Sequence, residues 1–541
     1  MRTGQIRVLF QRNGSSSMTS RYTPLYSAIA SLEANSKEPD FVPSAYNFPF
    51  EKMYPSQKEI LSKVQNNESF CLTSHTGWGK SPVFLSLTRG TPSIVIEPRK
   101  FLQSQISSYF NDVVLYGRSG YPCPFSYSAA SAPCLLKEPC DQTTFHATCK
   151  DASKTCISKP CSIFLTNSTN HTYQKFPCKE CEYLAAVKNA VDTVRNNGTV
   201  ICNFGNFWNL LKYAKIVVID EADLFFREVS APQKIRYSNP KKNPDDDIRT
   251  LLTREVQGLQ KDAQDKSSDP KSRYAATNTL HSVSFLLAHH DLCFKYQRKD
   301  WYYIEVDPRN TNILCNKLFK DKRVIIVSAT PGVFDMPSYS ASIHQRAGIF
   351  FAPVGNLTSH SLKQNPYLMN TAAKAIAEIS DYMDMVYDAS KVIIFCGNLG
   401  THAASLFKIL GDDNCDLHQS GKLAESLERF KTSGKRYFLV AGAEWGLDAG
   451  FCKLQFLLKH PFPNLDERTR TLQRVMGKDE FSKYYESQAR DRVTQSGGRN
   501  VRGFNDFGIT ICLDSKTHDD YIKNKMLYPE WFRSRVDTRC Y

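Results

Sequence analysis

Short unbroken apolar runs alternate with amphipathic stretches along much of this chain. The runs at 69–73, 93–96, 199–202, 216–219 and 323–327 carry few polar positions. Strands of that kind are buried on both faces, as in a parallel sheet. Between them, residues 57–64, 82–87, 100–109 and 183–195 show helical spacing. A second series follows: helices over 371–387 and 403–410, and strands over 392–395, 438–441, 456–458 and 509–513. This alternation predicts an α/β protein with two parallel-sheet domains.

Two blocks break the rhythm. Residues 117–182 are rich in Cys, Ser, Pro and Lys and lack periodicity. Residues 229–320 begin with a polar stretch, turn-like over 239–247, and become helical over 277–288. Both read as insertions, the second partly flexible. The aromatic run Trp301, Tyr302 and Tyr303 fits a strand with one buried face, or a surface on which bases stack. Residues 1–45 read as an N-terminal tail. No internal repeat and no heptad pattern is present.

Composition narrows the class. A chain of 541 residues holds several domains, and 41% hydrophobic residues suffice for ordinary cores. The net charge of +15 suits a polyanionic partner, although a generally basic protein would share it. No run approaches the ~20 apolar residues of a membrane span. The N-terminus is basic at Arg2, Arg7 and Arg12 without the apolar centre of a signal peptide. The expectation is an intracellular protein without a membrane partner, cytoplasmic in a prokaryote or its viruses and nuclear in a eukaryote.

Residues Ser74, His75, Thr76, Gly77, Trp78, Gly79, Lys80 and Ser81 lie between a predicted strand and a predicted helix. A loop there turns backbone N–H groups onto phosphate oxygens. Gly77 and Gly79 allow close approach, Lys80 reaches the outer phosphates, and the Ser81 hydroxyl suits magnesium. The general pattern has Gly where Ser74 stands. Asp220, Glu221, Ala222 and Asp223 directly follow the strand at 216–219. Carboxylates at the C-terminal end of a parallel strand lie where such sheets bind ligands. Asp220 would hold magnesium through water, and Glu221 would orient or deprotonate an attacking water. Alone, these four residues would equally be the acidic start of a helix. Together the two segments predict ATP binding and hydrolysis.

Further segments, in order, resemble the superfamily 2 helicases, and more closely the XPD/DinG-like iron–sulfur DNA helicases. Tyr54, Pro55, Ser56 and Gln57 resemble the adenine-recognising element, with Gln57 reading the base. Glu97, Pro98 and Arg99, through Gln105, resemble motif Ia, which faces single-stranded DNA. Ser328, Ala329, Thr330 and Pro331 resemble motif III. Glu444 through Asp448 resemble motif V, and His460, Pro461, Phe462 and Pro463 the stretch after it. Gln495, Ser496, Gly497, Gly498, Arg499, Asn500, Val501 and Arg502, extended by Asp506, Gly508 and Asp514, resemble motif VI.

The resemblance spans roughly residues 46–525 and implies two RecA-like domains closing on ATP and Mg2+. Arg499 and Arg502 would act as arginine fingers, with Asp448 and Gln495 also at the nucleotide. The implied partition is 46–116, 183–228 and 321–355 for the first RecA-like domain and 356–541 for the second. A cysteine-rich insertion would occupy 117–182 and an arch-like insertion 229–320. The chain departs from the family pattern at Ser74, at Asp223 where His is usual, and at Ser515 and Lys516 where Lys and Arg are usual.

Eight of the 17 cysteines lie between Cys123 and Cys181: those two with Cys134, Cys140, Cys149, Cys156, Cys161 and Cys178. Such crowding in an intracellular chain points to a metal rather than to disulfides. The resemblance implies a [4Fe–4S] cluster, with Cys123 first and Cys181 last. Cys134 and Cys178 are candidates for the middle ligands, with Cys156 and Cys161 as alternatives. Zinc is the alternative metal. The other cysteines are isolated and read as small buried apolar residues.

The implied activity is that of an ATP-dependent helicase or translocase moving 5′ to 3′ on single-stranded or forked DNA, and the expected state is a monomer. An RNA helicase and a non-catalytic nucleic-acid scaffold are the alternatives. The scaffold reading predicts loss of Lys80, Glu221 or Arg499, and all three are present. Repair, replication, recombination and a viral or plasmid function all fit the motifs.

Overall fold

The computed structural model describes residues 21–34, 41–64, 68–74, 78–121, 182–241, 245–265, 267–268, 270–330, 334–341, 346–419, 422–441, 450–501 and 506–541. Two seven-stranded sheets dominate it, and every strand pair in them is parallel. The first sheet runs in the order Ser338–Ala341, Phe70–Ser74, Arg323–Ser328, Ile216–Ile219, Ser93–Ile96, Thr199–Cys202, Val113–Leu115. The second runs Cys415–Leu417, Tyr437–Val440, Val392–Phe395, Leu454–Leu457, Phe507–Asp514, Arg346–Gly355, Val536–Cys540.

The unbroken apolar runs have a simple cause. Successive side chains of a strand point to opposite faces, and here both faces are covered. Ile94, Ile96, Val217, Ile219, Val324 and Ile326 enter one core. Their neighbours Val95, Ile216, Val218, Ile325 and Val327 enter a second core on the other face. The second sheet divides Val392 and Ile394 from Ile393 and Phe395 in the same way.

Expected and observed elements differ at the sheet margins. Ser338–Ala341, Cys415–Leu417 and Val536–Cys540 are edge strands with polar positions, so no apolar run announces them. Arg346–Gly355 contains glycine and proline, which read as turn signals. It pairs with strands of the second sheet, so the second domain begins before residue 356. Within 1–45, expected to be a tail, Thr23–Ala34 forms a helix. Leu25, Tyr26 and Ile29 are buried in the second domain's core, and Tyr26 stacks on Tyr382 at 3.8 Å between ring centres.

The 229–320 insertion is built from helices Ile248–Gln264 and Pro270–Ala288 against an antiparallel sheet ordered Gln233–Ile235, Trp301–Val306, Cys293–Arg298. Tyr302 and Ile304 are buried. Trp301 carries the Lys234 ammonium 3.8 Å from its ring centre, so the aromatic run is a half-buried strand. Phe294 and Tyr296 of this insertion pack with Leu472, Met476 and Phe481 from two helices of the second domain, Glu467–Met476 and Lys478–Ser496. At the margin of that contact, the Arg468 guanidinium donates to the Glu305 carboxylate at 2.5 Å. The Glu305 side chain is only 2% exposed.

Of the nine cysteines outside 123–181, seven are buried as expected, Cys293 is half-buried and Cys540 is exposed. No helix among the described residues is long and apolar enough to cross a membrane.

Removing Arg468 would strand a buried carboxylate. Arg468→Leu is expected to cost about 2–3 kcal/mol, at the low end for a buried pair because the arginine is partly exposed. Adding Glu305→Leu should recover most of that loss in thermal melting. Single and double variants melting alike would show that the carboxylate is not held by the pair.

Candidate active site

The strand Phe70–Ser74 is buried along its whole length and delivers the chain to the C-terminal edge of the first sheet. The helix Lys80–Thr88 begins after the intervening loop, of which Trp78 and Gly79 are described. His75, Thr76 and Gly77 lie outside the described residues. Gly79 has φ +82°, in the left-handed region that a side chain disfavours. A Cβ there would also stand 2.7 Å from Gln57 Nε2. Trp78 is fully buried and donates its indole N–H to Ser56 Oγ at 3.0 Å, which anchors the loop to the helix Pro55–Lys63.

Gln57 is engaged with the loop itself. Its Nε2 donates to Trp78 O at 2.8 Å and to Gly79 O at 3.3 Å, while its Oε1 accepts from Tyr54 N at 2.9 Å. The residue expected to read a base braces the loop at 74–81 in this structure.

Lys80 Nζ donates to Ser74 O at 3.2 Å, across the mouth of the loop. Burial lowers the affinity of Lys80 for its proton; Asp220 and Glu221 oppose this and Arg499 adds to it. Lys80 therefore feels the charge of all three side chains. Ser81 occupies the first turn of the same helix and is half-buried.

Asp220 follows the strand Ile216–Ile219 and is 7% exposed. Its Oδ1 accepts from Glu221 N at 3.0 Å. Burial and the charge of Glu221 push Asp220 up to about 6, with Lys80 opposing. Glu221 adopts φ 48° and ψ 52° ahead of the helix Ala222–Val229. A non-glycine residue in that region costs about 1–2 kcal/mol, a strain that collects at functional sites. The Arg99 guanidinium lies 4.0 Å from the Glu221 carboxylate.

Asp223 makes the connections that its place in the sequence does not reveal. Its Oδ2 accepts from Ser328 Oγ at 2.7 Å and Thr330 Oγ1 at 2.9 Å. The same oxygen accepts from Gln495 Nε2 of the second domain at 3.3 Å. Gln495 Oε1 in turn accepts from Arg499 Nη2 at 3.1 Å, which is one helical turn further on. Burial pushes Asp223 up to about 6, and the Ser328 and Thr330 hydroxyls hold it back.

Other expected residues serve as supports. Glu97, expected to face DNA, is fully buried; its Oε1 accepts from Arg99 N at 2.8 Å and its backbone oxygen from Gln103 Nε2 at 2.6 Å. Glu97 follows Ile96, which pairs with Ile219, so it lies beside Asp220 on the neighbouring strand. Burial and the Asp220 charge raise it well above the usual carboxylate range. Asp514 accepts from the backbone N–H groups of His460 at 2.8 Å and Leu357 at 3.3 Å, fixing the stretch after the Leu454–Leu457 strand. Arg502, Asp448 and all eight clustered cysteines, Cys123 to Cys181, lie outside the described residues. Among the described residues no group of three or more His, Cys, Asp or Glu is arranged to hold a metal ion.

Gly79→Ala meets both a left-handed backbone and the Gln57 amide. It is expected to weaken binding of a fluorescent ATP analogue about tenfold or more, consistent with a distortion of 1–2 kcal/mol. Unchanged affinity would show that the Gln57 brace is irrelevant to the loop.

With this geometry in hand, the relatives are informative. Residues 380–535 match the helicase C-terminal domain family. An ATP-dependent DNA helicase CHL1 from Scheffersomyces stipitis is 23% identical over 171 residues, which are 32% of this chain and 17% of that protein. The match thus spans well under two thirds of that relative. A solved XPD helicase superposes with a TM-score of 0.54 at 12% identity, covering 88% of this chain and 98% of its own. A solved apo XPD gives 0.52 at 11% identity, covering 87% and 97%. The two parallel-sheet domains are thus similar in fold to solved XPD helicases, and residues 380–535 of the second are similar to a helicase C-terminal domain.

Proposed function

We propose that this chain hydrolyses ATP and couples each turnover to movement along single-stranded DNA, as a helicase or translocase. The observation that carries the reading is the hydrogen-bonded line from Ser328 and Thr330 through Asp223 and Gln495 to Arg499. It joins the Lys80, Asp220 and Glu221 side of the cleft to a second domain. A nucleotide held between two such domains makes the cleft's width depend on the state of the phosphates.

In this reading the loop 74–81 cradles the phosphates, and Lys80 neutralises their charge. Ser81 and Asp220 would supply hard oxygen ligands of the kind Mg2+ takes, and burial with the nearby Glu221 charge, which raise Asp220, would be offset by a divalent cation. The cation supplies charge neutralisation at the phosphates. Glu221 orients or deprotonates the attacking water. Arg499, and Arg502 beside it in sequence, meet the charge that develops during transfer, a contact worth roughly 10³–10⁵ in rate. Gln57 acts here by holding the loop; His75, Thr76, Gly77 and Asp448 complete the proposed nucleotide contacts.

The track is proposed to be DNA, with 5′ to 3′ polarity, on the family resemblance and the net charge of +15. The cysteines between Cys123 and Cys181 are proposed to hold a [4Fe–4S] cluster, with zinc as the other metal that thiolates would take.

Lys80→Ala is expected to lower ATP turnover at least about 100-fold while single-stranded DNA binding stays within about threefold. Turnover at the parental rate would refute the assignment of the loop. Single-stranded DNA should stimulate the parental ATPase more than RNA of matched length, and unwinding should require a 5′ tail; preference for RNA would favour an RNA helicase. Anaerobically purified protein should contain about four iron and four acid-labile sulfide per chain. Stoichiometric zinc without iron would overturn the cluster.

A further inference from the structure

A residue outside the motif segments clasps both sides of the cleft. Trp531 lies near the C-terminal end of the chain, in the short helix Glu530–Arg533, and is 1% exposed. Its indole Nε1 donates to Ala329 O of the first domain at 2.9 Å. Ala329 lies between Ser328 and Thr330, whose hydroxyls donate to Asp223. The tripeptide is thus held from two directions, by its hydroxyls on its own domain and by its central carbonyl on the other. Ala329 also packs against the second domain's core, which contains Ile349, Phe351 and Trp531.

The same helix meets the turn that carries Arg499. A Cβ on Gly497 would stand 2.8 Å from Phe532 Cε2, and one on Gly498 would stand 3.5 Å from Trp531 Cη2. The two glycines leave room for the two rings, which form a floor beneath the turn. The Arg535 guanidinium lies 5.3 Å from the Trp531 ring centre. One side chain therefore touches the segment 328–330 and the segment 497–499 together.

We propose that Trp531 is a positioning residue that couples the Ser328-Ala329-Thr330 segment to Arg499. A shift of the tripeptide carries the indole with it through the hydrogen bond to Ala329 O. The indole then moves the glycine turn through direct packing, so Arg499 takes its place only when the tripeptide is in register. This inference rests on the ATPase reading above.

The test compares Trp531→Phe, which keeps an aromatic ring and deletes the N–H donor, with Phe532→Leu, which loses packing beneath Gly497 and keeps the donor. Steady-state ATPase of the full chain is measured with saturating single-stranded DNA, alongside thermal melting. The parental protein is assayed first, and absence of turnover there would refute the ATPase reading rather than this one. With parental turnover established, Trp531→Phe should lower kcat about fivefold or more with KM for ATP within about twofold, the pattern of an interaction made only in the transition state. Its melting temperature should fall less than that of Phe532→Leu, whose kcat should fall less. A Trp531→Phe protein with parental kcat, one that loses kcat only in step with its melting temperature, or one that does not fold would each overturn the proposal.

Discussion

Asp223 is a carboxylate at the edge of one sheet whose hydrogen-bond donors come from two domains. Ser328 and Thr330 donate from the neighbouring strand end, and Gln495 donates from across the cleft. Leaving a partly buried carboxylate short of donors is costly, and a hydrogen bond to a charged group contributes about 1.5–3 kcal/mol. The Asp223–Gln495 contact therefore favours the approach of the second domain. The same glutamine holds Arg499 through its other amide atom. A polar chain of this kind transmits position because each member has one arrangement that satisfies its neighbours.

A second tie lies away from the nucleotide side. The insertion between the acidic tetrad and Arg323–Ser328 packs its Phe294 and Tyr296 on the helices at 467–496, with Glu305 and Arg468 at the margin. The second domain is thus attached to the first at the cleft beside Asp223 and through the insertion. A change in the cleft has to be accommodated at both places, since packed cores shift between discrete arrangements rather than deforming smoothly. The insertion is a connecting body between the two sheet domains.

Much of this was legible in the residues, for a physical reason. Central parallel strands are apolar on both faces, so Ser93–Ile96, Thr199–Cys202, Ile216–Ile219 and Val392–Phe395 stand out as written. Edge strands such as Ser338–Ala341 have only part of that constraint and were invisible. The helix Thr23–Ala34 lies far in sequence from the core it joins, and no local pattern announces such a docking. In the site, Lys80, Asp220 and Gln495 stand in segments that the sequence singles out, and the structure brings these segments to one cleft. The bracing role of Gln57, the burial of Glu97 and the clasp of Trp531 depend on contacts between distant segments, which spacing along the chain does not encode.

The most direct test of the central claim is ATP turnover by a Gln495→Leu variant under single-stranded DNA stimulation. That substitution removes the amide joining Asp223 to Arg499 and leaves the phosphate loop untouched. The account predicts binding of a non-hydrolysable ATP analogue within about threefold of the parent and turnover reduced about tenfold or more, as expected for losing a hydrogen bond to a charged group. Turnover at the parental rate with the amide gone would contradict it.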